Sequence, residues 1–143
     1  MNIFNLLTMK SRVAYLIDTM TVRDAMEQFS SHGYTAVPVI NSEGVYLETV
    51  TEGDFLRYLL ANDVTSAMEC MNTDLLGDIA VKRDIHAVHV TAALDDLVEL
   101  CKTQNFVPVV DDRETFIGIV TRKDLICYAV DKCNELKKEL AAK

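Results

Sequence analysis

Two four-residue stretches carry the residue types that could hold a phosphorylated sugar: Thr121-Arg122-Lys123-Asp124 and Thr51-Glu52-Gly53-Asp54. Each sets an aspartate three positions after a threonine. Where a strand ends in that threonine and turns into a helix, free backbone N–H groups and the positive end of the helix dipole favour phosphate. Asp124 then falls in the first helical turn, where its carboxylate can accept from both hydroxyls of a ribose, while Arg122 and Lys123 neutralise phosphate charge. The same residues also serve as a plain capping box, a use open to any helix. The earlier stretch offers Glu52 where the later one offers Arg122, and a carboxylate there repels phosphate. The Thr121 stretch is therefore the stronger anion candidate.

Both stretches close a larger repeated pattern. Tyr34-Thr35-Ala36-Val37-Pro38-Val39-Ile40 leads to the first, and Phe106-Val107-Pro108-Val109-Val110 leads to the second. Pro38 and Pro108, Thr51 and Thr121, and Asp54 and Asp124 each lie 70 positions apart, so one supersecondary unit occurs twice. The first copy reads as a strand in Val13–Ile17, a helix capped by Thr21 with Val22, Ala25, Met26 and Phe29 on its inner face, and a stop at Gly33. A strand over 35–40, a turn at Asn41–Gly44, a strand over 45–50 and a helix from Glu52 follow. The second copy reads as strand 87–90, helix 94–102, strand 106–110, turn 111–114, strand 116–120 and a helix from Arg122. Val22-x-Asp24 matches Leu94-x-Asp96 only at an offset of 72, so the second copy has lost two residues between its first helix and its proline strand. Between the copies, residues 63–84 predict a short helix and connector.

A proline inside each strand removes one ladder donor and predicts an opening beside it. Beside Pro38, an opening lined by Ala36, backbone edges and the aliphatic Val13-Ala14 strand suits a flat base whose edge is read by backbone groups. Tyr34 has two open readings, a core aromatic with a wet hydroxyl or a ring stacked on a ligand. The repeat gives a second, weaker set: His86, Phe106, Pro108, Thr51 and Asp54. His86 and His89 have no partner at metal-ligand spacing and read as solvated or hydrogen-bonded strand histidines.

At 143 residues and half hydrophobic, the chain has the size of one domain, and two half-size copies are expected to share its core. A net charge of −8 argues against a general nucleic-acid binder. The apolar run in residues 1–9 is short and lacks a basic lead, so neither a signal peptide nor a membrane span is expected, and the expected location is cytoplasmic. Cys70, Cys101, Cys127 and Cys133 form no Cys-x-x-Cys pair and read as structural thiols, so no metal is expected. There is no Ser/His/Asp order, Walker glycine loop, zinc spacing or activated cysteine, so no enzyme and no catalytic residue is expected.

The twofold order of strand, helix, proline strand, hairpin and Gly-h-h-Thr-x-x-Asp helix resembles a tandem pair of CBS motifs, or Bateman module. Gly118-Ile119-Val120-Thr121-Arg122-Lys123-Asp124 fits the family signature fully, whereas Glu48 stands in the glycine place of the first copy. The resemblance implies an α/β (α+β) fold of two pseudo-symmetric β-α-β-β-α motifs packed through their sheets. It gives one module over 1–143, with motifs at 12–62 and 85–131, a connector at 63–84 and a helix end at 132–143. It also implies a disc-like homodimer and an adenine nucleotide (AMP, ADP, ATP, S-adenosylmethionine or cyclic di-AMP) as regulatory ligand in clefts between the motifs. Arg12-Val13-Ala14 and Gly33 to Val39 are further similar to stand-alone bacterial CBS pairs that bind cyclic di-AMP. By that resemblance Val13, Ala14, Thr35 and Ala36 surround adenine, Tyr34 stacks or hydrogen-bonds, and Arg12, Arg122 and Lys123 hold phosphate. The expected function is a non-enzymatic sensor that signals to a partner protein; its rival is a ligand-free structural or dimerisation module.

Overall fold

Seven strands and six α-helices, all but the strand nearest the chain start foreshadowed by the patterns just described, are found in a computed structural model that describes residues 2–33, 35–79 and 85–143. In chain order they are β1 (Thr8–Met9), β2 (Leu16–Ile17), α1 (Val22–His32), β3 (Ala36–Ile40), β4 (Tyr46–Thr51), α2 (Glu52–Ala61), α3 (Val64–Cys70), α4 (Leu76–Ile79), β5 (Val88–His89), α5 (Leu94–Cys101), β6 (Phe106–Val110), β7 (Phe116–Thr121) and α6 (Arg122–Ala141). The mixture is the expected α/β (α+β) class. Thr21 Oγ1 accepts from the Asp24 amide at 3.2 Å, and Gly33 closes α1 in the left-handed region at φ 66°, a conformation that favours glycine.

The chain divides into two compact units. One gathers 14–85 and 112–116, mainly the first copy. Its sheet has the order β2-β3-β4, with β2 parallel to β3 (Leu16 against Val39) and β4 antiparallel to it. The other unit gathers 1–13, 86–111 and 117–143, mainly the second copy. Its sheet has the order β1-β7-β6-β5, with β5 parallel to β6 (Val88 against Val109). The parallel registers reproduce the sequence offsets: β2 and β5 differ by 72 positions, β3 and β6 by 70. The loss thus falls in the first helix, 8 residues in α5 against 11 in α1, and leaves the strand pairing intact.

The buried side chains form two clusters, one in each unit, where the sequence suggested one shared core. Most members match across the repeat, as in Leu16 and Val88, Ala25 and Leu97, Val37 and Val107, Val50 and Val120, and Phe55 and Leu125. In the first-copy unit Phe29 and Phe55 meet edge to face with centroids 5.1 Å apart. The equivalent positions hold Cys101 and Leu125, which are far smaller, and Ile3 and Leu6 from the chain start join that cluster. The start of the chain therefore completes the second-copy core. Its strand β1 pairs antiparallel with β7, Met9 opposite Gly118.

Candidate functional site

Each Thr-x-x-Asp turn sits where β4 or β7 runs without a break into α2 or α6. Equivalent backbone bonds fix both turns: the Glu52 amide donates to the Thr35 carbonyl at 3.1 Å, and the Arg122 amide donates to the Asn105 carbonyl at 2.9 Å. The aspartates, however, have different fates. Asp54 is buried, and its Oδ2 accepts from the Thr51 amide at 2.8 Å, closing a reciprocal capping box. Its other oxygen accepts from Arg57 at 2.7 Å. Both oxygens are thus held within the fold.

Asp124 is half-buried, and its carboxylate has no hydrogen bond or ion pair among the described residues. Only its amide is engaged, donating to Thr121 Oγ1 at 3.1 Å. The position equivalent to Arg57 is Cys127, so no cation is supplied one helical turn on. The carboxylate instead lines a cavity of about 340 Å³ with Asp131 and Tyr128 of α6 and residues Asn5–Thr8. A cavity of about 400 Å³ beside the other turn is lined by Glu52, Ser30, Gly33 and apolar residues of α1 and α2, and Asp54 is not among its lining residues.

The cations beside Thr121 are partly committed. Arg122 Nε donates to the Cys101 carbonyl at 2.8 Å, satisfying an orphan acceptor at the end of α5 and leaving its terminal nitrogens. Burial pushes the Cys101 thiol pKa up, and the neighbouring Arg122 charge opposes that rise. Lys123 and Arg12 are exposed. With the Arg122 and Asp124 amides already bonded, the free N–H groups expected at this helix start reduce to that of Lys123 among the described residues.

Each proline strand has a stretch of edge outside its parallel ladder. On β3 the parallel partner β2 pairs only with Val39 and Ile40, so Pro38 lies before the ladder begins and its missing N–H breaks no bond there. Ala36 and Val37 share that unpaired edge, with Thr35 exposed just before it and Ala14 half-buried in the same unit. Tyr34 lies outside the described residues. On β6 the parallel partner pairs only with Val109 and Val110, so Pro108 repeats the arrangement. Here, however, the edge is filled. Gln104, only 8% exposed, donates through Nε2 to the carbonyls of His86 and Phe106 at 3.2 Å each and accepts from the His86 amide at 3.0 Å. His89 Nδ1 meets Thr91 Oγ1 at 2.7 Å, a local hydrogen bond of the kind expected for it.

Arg12, Val13, Thr121, Arg122, Lys123 and Asp124 of the stronger set belong to the second-copy unit; Ala14, Thr35, Ala36 and Pro38 belong to the first-copy unit. Of the weaker set, His86, Phe106 and Pro108 fall in the second-copy unit and Thr51 and Asp54 in the first. The sequence reading missed Arg57, Gln104 and the cavity-lining residues Asn5–Thr8. The 70-residue register carried the first two in plain view: Arg57 aligns with Cys127, and Gln104 aligns with Tyr34.

The family model for the CBS domain matches residues 3–61 and 76–131, most of the chain and both copies. The chain belongs to the CBS domain family. As a pair of CBS motifs it superposes on CbpB in complex with c-di-AMP with a TM-score of 0.85 at 24% identity, covering 97% of this chain and 91% of that one. It superposes on CBSX2 in complex with AMP with a TM-score of 0.72 at 22% identity, covering 91% and 96%. At such identities the likeness is one of fold. Among curated proteins, the uncharacterized protein MJ1225 of Methanocaldococcus jannaschii is 26% identical over 113 residues. Those residues make up 75% of this chain but 40% of that relative. Among the described residues, no helix of this CBS pair is long and apolar enough to cross a membrane.

Proposed function

We propose that this CBS pair is a non-enzymatic regulatory sensor of an adenine nucleotide, acting as a homodimer in the cytoplasm and passing its bound state to a partner protein. The observation that carries the reading is the Asp124 carboxylate: unpaired among the described residues, facing a cavity, and set at the N-terminus of a 20-residue helix beside Arg122 and Lys123. A carboxylate so placed accepts from ribose hydroxyls, and the Lys123 amide, the two side-chain cations and the helix dipole favour a phosphate nearby. Arg12, Val13, Ala14, Tyr34, Thr35, Ala36 and Pro38 are the further residues assigned to this nucleotide. The bound c-di-AMP and AMP of the two structural neighbours put AMP, ADP, ATP and cyclic di-AMP first among its ligands.

A second reading has its own observation. Asp54 is consumed by its capping box and Arg57, and Gln104 fills the strand edge beside Phe106, so the weaker set of His86, Phe106, Pro108, Thr51 and Asp54 is built as structure. That supports one binding set, and if the Asp124 set is empty too, the chain is a dimerisation module. A thermal-shift panel of AMP, ADP, ATP and cyclic di-AMP separates the two, because a ligand that binds only the folded state raises its melting temperature. A saturable rise with at least one of the four that Asp124→Ala abolishes is the expected result. No rise with any of them overturns the sensor reading.

A further inference from the structure

The ladder between β5 and β6 stops one rung short of where its register points. Val88 faces Val109, and the Val90 amide donates to the Val110 carbonyl at 3.0 Å. Continued toward the start of both strands, this pattern gives the Phe106 carbonyl the His86 amide and gives the His86 carbonyl the N–H of residue 108. Residue 108 is proline and has no N–H to give. The rung is open, and one side chain fills it. Gln104 Oε1 accepts from the His86 amide at 3.0 Å, and Nε2 donates to the His86 and Phe106 carbonyls at 3.2 Å each. The partners fix which end of the amide is which, since a backbone N–H needs the oxygen and the two carbonyls need the amino group.

An acceptor atom beside an amino group, in one plane, is also what adenine presents: a ring nitrogen next to its 6-amino group. We propose that Gln104 is a built-in competitor standing in for such an edge, so that this chain shuts its own second base site and takes an adenine-type base there only when the carboxamide is withdrawn. The first copy supplies the comparison. Pro38 has no N–H for the Ala14 carbonyl, and the Ala14 amide does not donate to the Ala36 carbonyl, so the equivalent rung is open among the described residues. Position 34, which aligns with Gln104, is a tyrosine and has no carboxamide to place in it. The backbone of Gln104 is held separately, its amide donating to the Leu100 carbonyl at 2.9 Å, so the side chain can be removed without releasing the chain. His86 and Asn105 are exposed, which leaves the edge within reach of a solute once the carboxamide is gone. The Asp124 set is not needed for this site, which shares with the sensor reading only its class of ligand.

Gln104→Ala opens the edge, and adenosine and inosine are the probes. They match in size and sugar, but inosine has a carbonyl where adenosine has the amino group. Thermal unfolding of the full chain is followed with each nucleoside at millimolar concentration. Gln104→Ala is expected to melt below the unaltered chain, and adenosine to raise its midpoint by at least about 2 °C more than it raises that of the unaltered chain, with no such excess from inosine. The excess should persist when Asp124→Ala is added, which separates this edge from the Asp124 set. No excess with adenosine, an equal excess with inosine, or its loss in the double variant overturns the internal competitor. An excess in the variant with no adenosine response in the unaltered chain leaves the competitor standing and counts against the sensor reading instead. Where Gln104→Ala does not fold alone, refolding in each nucleoside reads the same difference: recovery in adenosine only supports the site, and recovery in both or in neither overturns it.

Discussion

The two Thr-x-x-Asp turns began as copies of one sequence and differ in what their aspartates are free to do. Asp54 is a structural residue: both carboxylate oxygens are taken, one by the Thr51 amide and one by Arg57. Asp124 has the same place on its helix, but Cys127 stands where Arg57 would reach it, and its carboxylate opens on a cavity. The strand edges differ in the same direction. Gln104 closes the edge at Phe106, whereas the edge at Ala36 has no ladder partner from β2. A duplicated unit can thus keep its fold in both copies while side-chain partners decide which copy retains spare hydrogen-bonding capacity.

The sharpest way to break this comparison is to remove each aspartate in turn. Asp54→Ala deletes a buried acceptor of the Thr51 amide and with it the capping box, a loss of about 2–3 kcal/mol. The Arg57 contact adds little, because Arg57 is mostly exposed and its charge returns to water. Asp124→Ala removes no hydrogen bond of the carboxylate, and its stability change is within about 1 kcal/mol, the usual scale of a first-turn acid. For nucleotide binding the order inverts, with Asp124→Ala weakening it at least tenfold and Asp54→Ala leaving it within a few-fold. Urea denaturation and calorimetric titration of the two variants read both quantities; equal effects on binding would end the assignment of one set.

The Gly118 and Glu48 difference tests whether the asymmetry is also architectural. In the sequence it is a departure of the first copy from the family signature. In the structure a Cβ on Gly118 would lie 2.2 Å from the Thr8 carbonyl oxygen, inside the contact distance of any real pair, so the glycine admits β1 against β7. The first-copy sheet ends at β4, so Glu48 meets no such strand. Gly118→Ala is therefore expected to destabilise by about 2 kcal/mol through displacement of β1, and Glu48→Ala by well under 1 kcal/mol. Hydrogen exchange at Thr8 and Met9 checks the cause, since it should quicken in Gly118→Ala alone.

Much of this was legible in the residues. Strand and helix order followed from periodicity, and the 70 and 72 offsets reappear as the registers of β2 with β3 and of β5 with β6. The start of the chain was not legible. Thr8–Met9 is a two-residue strand with no period to read, and Ile3 and Leu6 are explained only by the volume missing where Cys101 and Leu125 replace two phenylalanines. The role of Asp54 was half legible: the Thr-x-x-Asp spacing marks its capping partner, whereas Arg57 at the i+3 position shares its helix face without belonging to any motif.

The smallest effect concerns the tyrosines one turn beyond each aspartate. Tyr58 donates to Asp74 Oδ2 at 2.7 Å, and burial, followed by that hydrogen bond and the Asp74 charge, holds its phenol well above the ordinary value of 10. Tyr128, its equivalent, lines the Asp124 cavity, packs against the second-copy core and has the Lys132 ammonium 5.9 Å from its ring centroid. A phenol whose pKa is raised on folding binds its proton more tightly in the folded state. Its contribution to stability is full below pH 10 and is lost as pH climbs from there toward the folded value. Tyr58→Phe should therefore lower stability at neutral pH by about 1 kcal/mol and flatten the decline above pH 10. Tyr128→Phe should do neither. Denaturation midpoints of the two variants between pH 7 and 11 decide it, and parallel curves for both would mean that the partner at Asp74 does not distinguish the copies.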